Sequence, residues 1–237
     1  MFVGNDFVFI HIPKNAGTSL RAFLADCGLG HSLQKWHTPV HEMSNEYRRK
    51  KRIAVIRNPL DYYISLYEYQ RKKPERVNDR WYNFWSPRGT FKQFIEASFS
   101  DGDTNMKMDL GLGKNPNRPV FKWMKDLDVG YYTVCYIYMC FERYREIFDD
   151  PRLVFDNHNE LISIDKMLRC ENLAEEVGAT FGLSKEQERQ FSERPRKNVT
   201  DKSSIPYYDS ELVQAVMHKD RLIFNNYYPE QDEHILR

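Results

Sequence analysis

Two short apolar runs, each handing over through a polar turn to a helical pattern, limit what this chain can fold into more than any other feature. Asp6 to Ile12 carries aromatic and β-branched residues almost without a break and stops at Pro13, as a buried strand does. Beyond a polar loop, Leu20, Phe23, Leu24 and Cys27 recur at helical spacing, and Gly28 supplies the stop. Arg52 to Arg57 (RIAVIR) repeats the arrangement after the charged run RRKK. Asn58 can cap the helix that follows, Pro59 suits its first turn, and Leu60, Tyr63, Ile64 and Tyr67 share one apolar face. Near-continuous apolar strands alternating with helices predict an α/β fold around a parallel sheet.

The remaining pattern extends that reading. Thr90 with Gln93 and Ser184 with Gln187 have the spacing of capping boxes, and Asp209 can cap a last helix carrying Leu212, Val213 and Val216. Tyr131 to Met139 reads as a strand, Leu161 to Leu168 as a second one, and residues 171–178 as a helix. Residues 70–118 lack periodicity and are rich in Trp, Tyr, Pro and Gly, as an insertion between core elements would be. With 237 residues, no repeat and no low-complexity linker, one domain over residues 1–237 is expected.

Charge narrows the function classes. The 35 basic and 34 acidic residues nearly cancel, so whole-surface attraction to nucleic acid or to an anionic membrane is not expected. An anion bound by this chain must be held locally. The longest apolar stretch, residues 131–141, falls short of the roughly 20 residues a membrane-spanning helix needs. No basic stretch precedes the first apolar run as in a secretory signal. A cytoplasmic location is expected, with a luminal domain released from an anchor as the alternative. Cys27, Cys135, Cys140 and Cys170 have no CxxC or metal-ligand spacing, and no metal is expected.

Pro13-Lys14-Asn15-Ala16-Gly17-Thr18-Ser19 lies where the first strand gives way to a helix. A helix start offers free N–H groups and a positive dipole end, which favour an anion. Gly17 permits close approach, Thr18 and Ser19 add hydroxyls, and Lys14 adds a charge. The order differs from GxxxxGK[ST], because the lysine precedes the glycine. Alone, the motif also fits an ordinary capped helix after a surface turn. It gains meaning from Arg57, at the carboxyl end of the second strand, and from Ser65, eight residues further on. Ligands of open α/β sheets sit at the carboxyl ends of strands. Two adjacent anion sites suit a nucleotide phosphorylated at two positions. Arg57 could instead cap its strand or pair with Asp61, with Ser65 a helix surface residue.

Together, HIPKNAGTSL (residues 11–20) and VIRNPLDYYISLY (residues 55–67) resemble the two signature motifs of the sulfotransferases that use 3′-phosphoadenosine 5′-phosphosulfate (PAPS). The similarity is to the carbohydrate-directed subgroup with H-I-P-K-T-x-G-T-S and V-R-N-P-x-D-R-x-x-S. LRCENLAEE (residues 168–176), and RKNVT with Tyr207, Tyr208, Asp220 and Phe224, are similar to later parts of that family. The resemblance implies a three-layer sandwich with a central parallel sheet of the P-loop-NTPase-like sulfotransferase type. It also implies PAPS as donor and 3′-phosphoadenosine 5′-phosphate (PAP) as product. Lys14 would be the catalytic lysine, residues 14–19 (Lys14, Asn15, Ala16, Gly17, Thr18, Ser19) the 5′-phosphosulfate loop, and Arg57 with Ser65 the 3′-phosphate site. Arg194, Arg196 and Lys197 would close over the nucleotide. Asn15 and Tyr62 depart from the family's usual threonine and arginine.

The acceptor hydroxyl needs a base, and histidine has a suitable pKa. His31, His37 and His41 lie between the motifs. His37 is favoured because residues 35–43 are similar to a K-H-x-x-A-x-E-I segment of related enzymes, and His41 is second. Trp81, Tyr82, Phe84 and Trp85, with Trp36, offer a stacking platform for a carbohydrate or else pack a core. Competing readings are a P-loop kinase using ATP and magnesium, and a non-catalytic phosphonucleotide-binding module.

Overall fold

The computed structural model describes residues 1–71, 90–99, 120–194 and 207–231. These fall into two compact units, one from Met1–Asn58 with Cys135–Val199 and one from Pro59–Val134 with Thr200–Arg237. No described helix is long and apolar enough to cross a membrane.

The first unit is built on a five-stranded sheet in the order β3-β1-β2-β4-β5, with β1 Phe2–Val3, β2 Phe7–Ile10, β3 His31–Ser32, β4 Lys51–Ile56 and β5 Lys166–Arg169. The two long apolar runs form the expected parallel pair, with Phe7 opposite Lys51 and Ile10 opposite Ala54. β5 runs parallel to β4, with Ile53 opposite Lys166 and Ile56 opposite Arg169. β1 pairs antiparallel with both β2 and β3, so the sheet is mixed and mostly parallel, not wholly parallel. Two-residue strands are set by their neighbours and leave no periodicity to read.

Alternation assigns the faces. Phe7, Phe9, Ile53, Val55 and Leu168 point to one side and join Leu20 and Leu24 of α1 (Gly17–Asp26) in a single core cluster. Val8, Ile10, Ala54 and Ile56 on the other face are buried as well. A central strand buried on both faces tolerates no polar side chain, which is why β2 and β4 read as near-continuous apolar runs. Gly28, with φ at 71°, ends α1 in a conformation that costs glycine nothing.

The longest departure from the sequence reading is at residues 131–140. This run was expected as a strand, and it is an α-helix, Tyr131–Cys140. Every one of its residues is buried. A run that is apolar on all sides shows neither a two- nor a 3.6-residue period, and its aromatic and β-branched content favours the wrong choice. The second strand expected at Leu161–Leu168 is instead Lys166–Arg169, paired with β4, and Leu161 ends a short helix, His158–Leu161.

The second unit is helical. Its first helix, Pro59–Arg71, buries Tyr62 as fully as the expected face residue Tyr63. Tyr62 stacks on Tyr132 with ring centroids 3.6 Å apart. An arginine at position 62 would place its charge in that aromatic layer. The capping box of Thr90 and Gln93 opens Phe91–Ala97, and Asp209 caps Ser210–Lys219 through the Leu212 N–H. Both follow from local hydrogen bonding, as does the Ser184–Gln187 box of the first unit.

Candidate functional site

Parallel neighbours release their carboxyl ends on the same edge, and two of the three left-handed non-glycine residues among the described residues lie there. Between β2 and α1, Lys14 (φ 67°) and Ala16 (φ 56°) adopt left-handed conformations while Asn15 between them does not. A left-handed non-glycine residue costs about 1–2 kcal/mol. Left-handed residues alternating with an ordinary one can form an anion-binding concavity, although here the Asn15 N–H turns back to the Ile12 carbonyl at 3.4 Å. The first N–H groups of α1 lack intrahelical acceptors and add to it. Thr18 is exposed and Ser19 half-buried at this helix start.

The loop is tied to the next strand. Asn15, 1% exposed, donates from Nδ2 to the Val55 carbonyl of β4 at 2.9 Å. This contact fastens the loop to β4. Arg57, the residue after β4, donates from Nη1 to the Lys14 carbonyl at 3.4 Å. At the end of β5, Glu171 accepts the Asn58 N–H at 2.9 Å. Lys14 and Arg57, separated in sequence, therefore meet at one edge of the sheet. Ser65 is buried on the helix Pro59–Arg71 in the second unit. Arg196, Lys197 and the aromatic group Trp81, Tyr82, Phe84 and Trp85 lie outside the described residues.

Gly17 has a reason that the sequence did not disclose. A β-carbon there would fall 1.9 Å from His11 Cδ2, so the His11 ring occupies the space of the missing side chain. His11 in turn holds His37. Its carbonyl accepts from His37 Nδ1 at 2.8 Å, and the two rings are 4.4 Å apart. A carbonyl can only accept, so this contact places the proton on Nδ1 and leaves Nε2 as the basic nitrogen. His37 is exposed, and Nε2 has no partner among the described residues. Burial of its inner edge lowers the His37 pKa below the ordinary value, against the carbonyl contact that raises it. At neutral pH the ring is the uncharged form that a base requires.

The segment around His37 is braced. Thr38 Oγ1 donates to the Lys35 carbonyl at 2.8 Å, and Lys35 pairs with Glu42. His41 is placed differently, against Tyr138 and Tyr144 at 4.9 and 4.3 Å between ring centroids. Burial pushes its pKa down to about 4. His31 is exposed on the edge strand β3.

Sequence reasoning did not single out Arg21 or the packing role of His11. Arg21 lies one turn beyond Gly17 on the buried side of α1, its guanidinium carbon 4.3 Å from the Trp36 ring centre. A charged residue in register with the apolar pair Leu20 and Leu24 was the available signal. No group of three or more His, Cys, Asp and Glu side chains that could hold a metal ion occurs among the described residues.

Compared with protein-family models, curated proteins and solved structures, the chain matches none.

Proposed function

We propose that this chain is a sulfotransferase that moves the sulfuryl group of PAPS onto an acceptor hydroxyl, with a carbohydrate as the favoured acceptor. The observation that carries the reading is the position of His11. Its ring packs on Gly17, where the proposed anion-binding loop enters α1, and its carbonyl orients His37. One residue thus couples an oxyanion cradle to a histidine base.

The donor set fits a doubly phosphorylated nucleotide. Main-chain N–H groups and Lys14 would hold the 5′-phosphosulfate, and Arg57 would face the 3′-phosphate. In the transfer, the acceptor oxygen bonds to sulfur as the sulfur–oxygen bond to the 5′-phosphate breaks. The acceptor proton passes to His37 Nε2, and the charge left on the phosphate is met by Lys14 and the loop amides. Little covalent work falls to the protein, which positions the groups and stabilises charge.

The reading is tested with ³⁵S-labelled PAPS and a panel of hydroxyl acceptors led by oligosaccharides. Label should appear on an acceptor without added metal. His37→Ala should lower transfer by about 10²–10⁴-fold while leaving PAP affinity within about twofold. Transfer of phosphate from labelled ATP with magnesium, and none from PAPS, would replace this reading with the kinase one.

A further inference from the structure

Arg21 is a cation buried without an anion. It is 6% exposed, yet its Nε and Nη1 have no hydrogen-bond partner. No carboxylate pairs with it among the described residues, and the side chain's recorded contact is the face of Trp36. Burying an unpaired charge is expensive, and unpaired donors add to the cost. Chains retain such groups where something absent from the folded chain completes them.

Direction identifies what is absent. Helical side chains lean toward the helix N-terminus, so Arg21 leans over Gly17, four residues before it. Gly17 carries the His11 ring, and His11 carries His37. The charge of Arg21 bears on both rings, adding to burial in lowering their pKa values. Lys14 contributes to the same effect on His11. The orphaned guanidinium therefore lies on the buried side of α1 against Trp36, the residue before His37. In an in-line displacement, the group in flight passes between the leaving phosphate and the base.

We propose that Arg21 is a sulfuryl-binding residue, its Nε and Nη1 donating to the oxygens of the group being transferred. This rests on the sulfotransferase reading. It adds a contact that tells PAPS from PAP, since PAP lacks the sulfuryl group. Trp36, 49% exposed, covers the guanidinium plane by a cation–π contact.

The test is calorimetric titration of wild type, Arg21→Met and Arg21→Lys with PAPS and with PAP, beside thermal melts without ligand. Arg21→Met should bind PAPS roughly ten- to hundredfold more weakly, the loss expected for a charge-assisted hydrogen bond. It should bind PAP within about twofold of wild type. Its melting temperature should rise by a few degrees, roughly, because an orphaned buried charge is replaced by an apolar side chain. Arg21→Lys, which keeps the charge but not the planar donors, should show an intermediate PAPS affinity. Equal losses for PAPS and PAP would move Arg21 to the phosphate. Unchanged affinity for both, or a lower melting temperature with no selective loss, would make it a packing residue. Either result overturns the proposal while leaving the sulfotransferase reading intact. Failure of wild type to bind PAPS or PAP would remove that reading itself, and this proposal with it.

Discussion

Arg21 in the sheet-bearing unit and Asp220 in the helical unit are both charged side chains withdrawn from water, and the chain treats them in opposite ways. Asp220 is fully buried, but its carboxylate is supplied on every side. Tyr63 Oη donates to Oδ2 at 2.8 Å. The Thr133 N–H and hydroxyl donate to Oδ1 at 2.9 and 2.7 Å. Tyr63 Oη in turn accepts the Tyr132 N–H at 3.3 Å. Arg21 has no comparable support, and one turn before it Gly17 carries the His11 ring, whose buried Nδ1 has no partner among the described residues. A satisfied buried charge is part of the scaffold. Orphaned buried donors and strained backbone are features that a bound ligand can complete.

If that distinction holds, substitutions in the two regions should separate activity from stability. The largest effect is expected from Lys14→Ala: turnover should fall by about 10³-fold, as for loss of a charge-stabilising group. Its melting temperature should change far less than its turnover, since Lys14 is only half-buried. Steady-state transfer assays beside thermal melts would check this. A large fall in melting temperature with proportionate loss of activity would erase the distinction.

Asp220→Ala should do the reverse and cost about 3–5 kcal/mol of stability, because Tyr63 and Thr133 would be left buried without an acceptor. Denaturant unfolding across a pH series sharpens this further. Burial raises the Asp220 pKa to about 6 from an ordinary value of 3.8, against the donors that lower it. The native state thus binds this proton more tightly than the unfolded one, and its contribution is complete below about pH 4 and fades as the pH rises through about 6. The stability gap between wild type and Asp220→Ala should therefore widen as pH falls from 7 to 4. A gap independent of pH would show that the donors, not burial, control the carboxylate.

What could be read in the sequence divides along physical lines. The strands Phe7–Ile10 and Lys51–Ile56, and the caps at Thr90, Ser184 and Asp209, depend on short-range pattern and hydrogen bonding, and each lies where its residues implied. The helix Tyr131–Cys140 was missed because a segment buried on every side carries no periodic signature. Within the site, Lys14 and Arg57 were legible as charges beside strand ends. The purpose of Gly17 depends on a ring six residues earlier, and the meaning of Arg21 on the absence of a partner. Neither is a property of local sequence.

The central claim is that the loop from Lys14 to Ser19, with Arg57, is a site for a nucleotide phosphorylated at both the 3′ and 5′ positions. Calorimetric titration with PAP, beside ADP with magnesium, tests it most directly. Tight metal-independent binding of PAP, much weaker binding of ADP, and loss of that preference in Arg57→Ala are the predicted result. A preference for ADP with magnesium, unchanged by Arg57→Ala, would contradict the account.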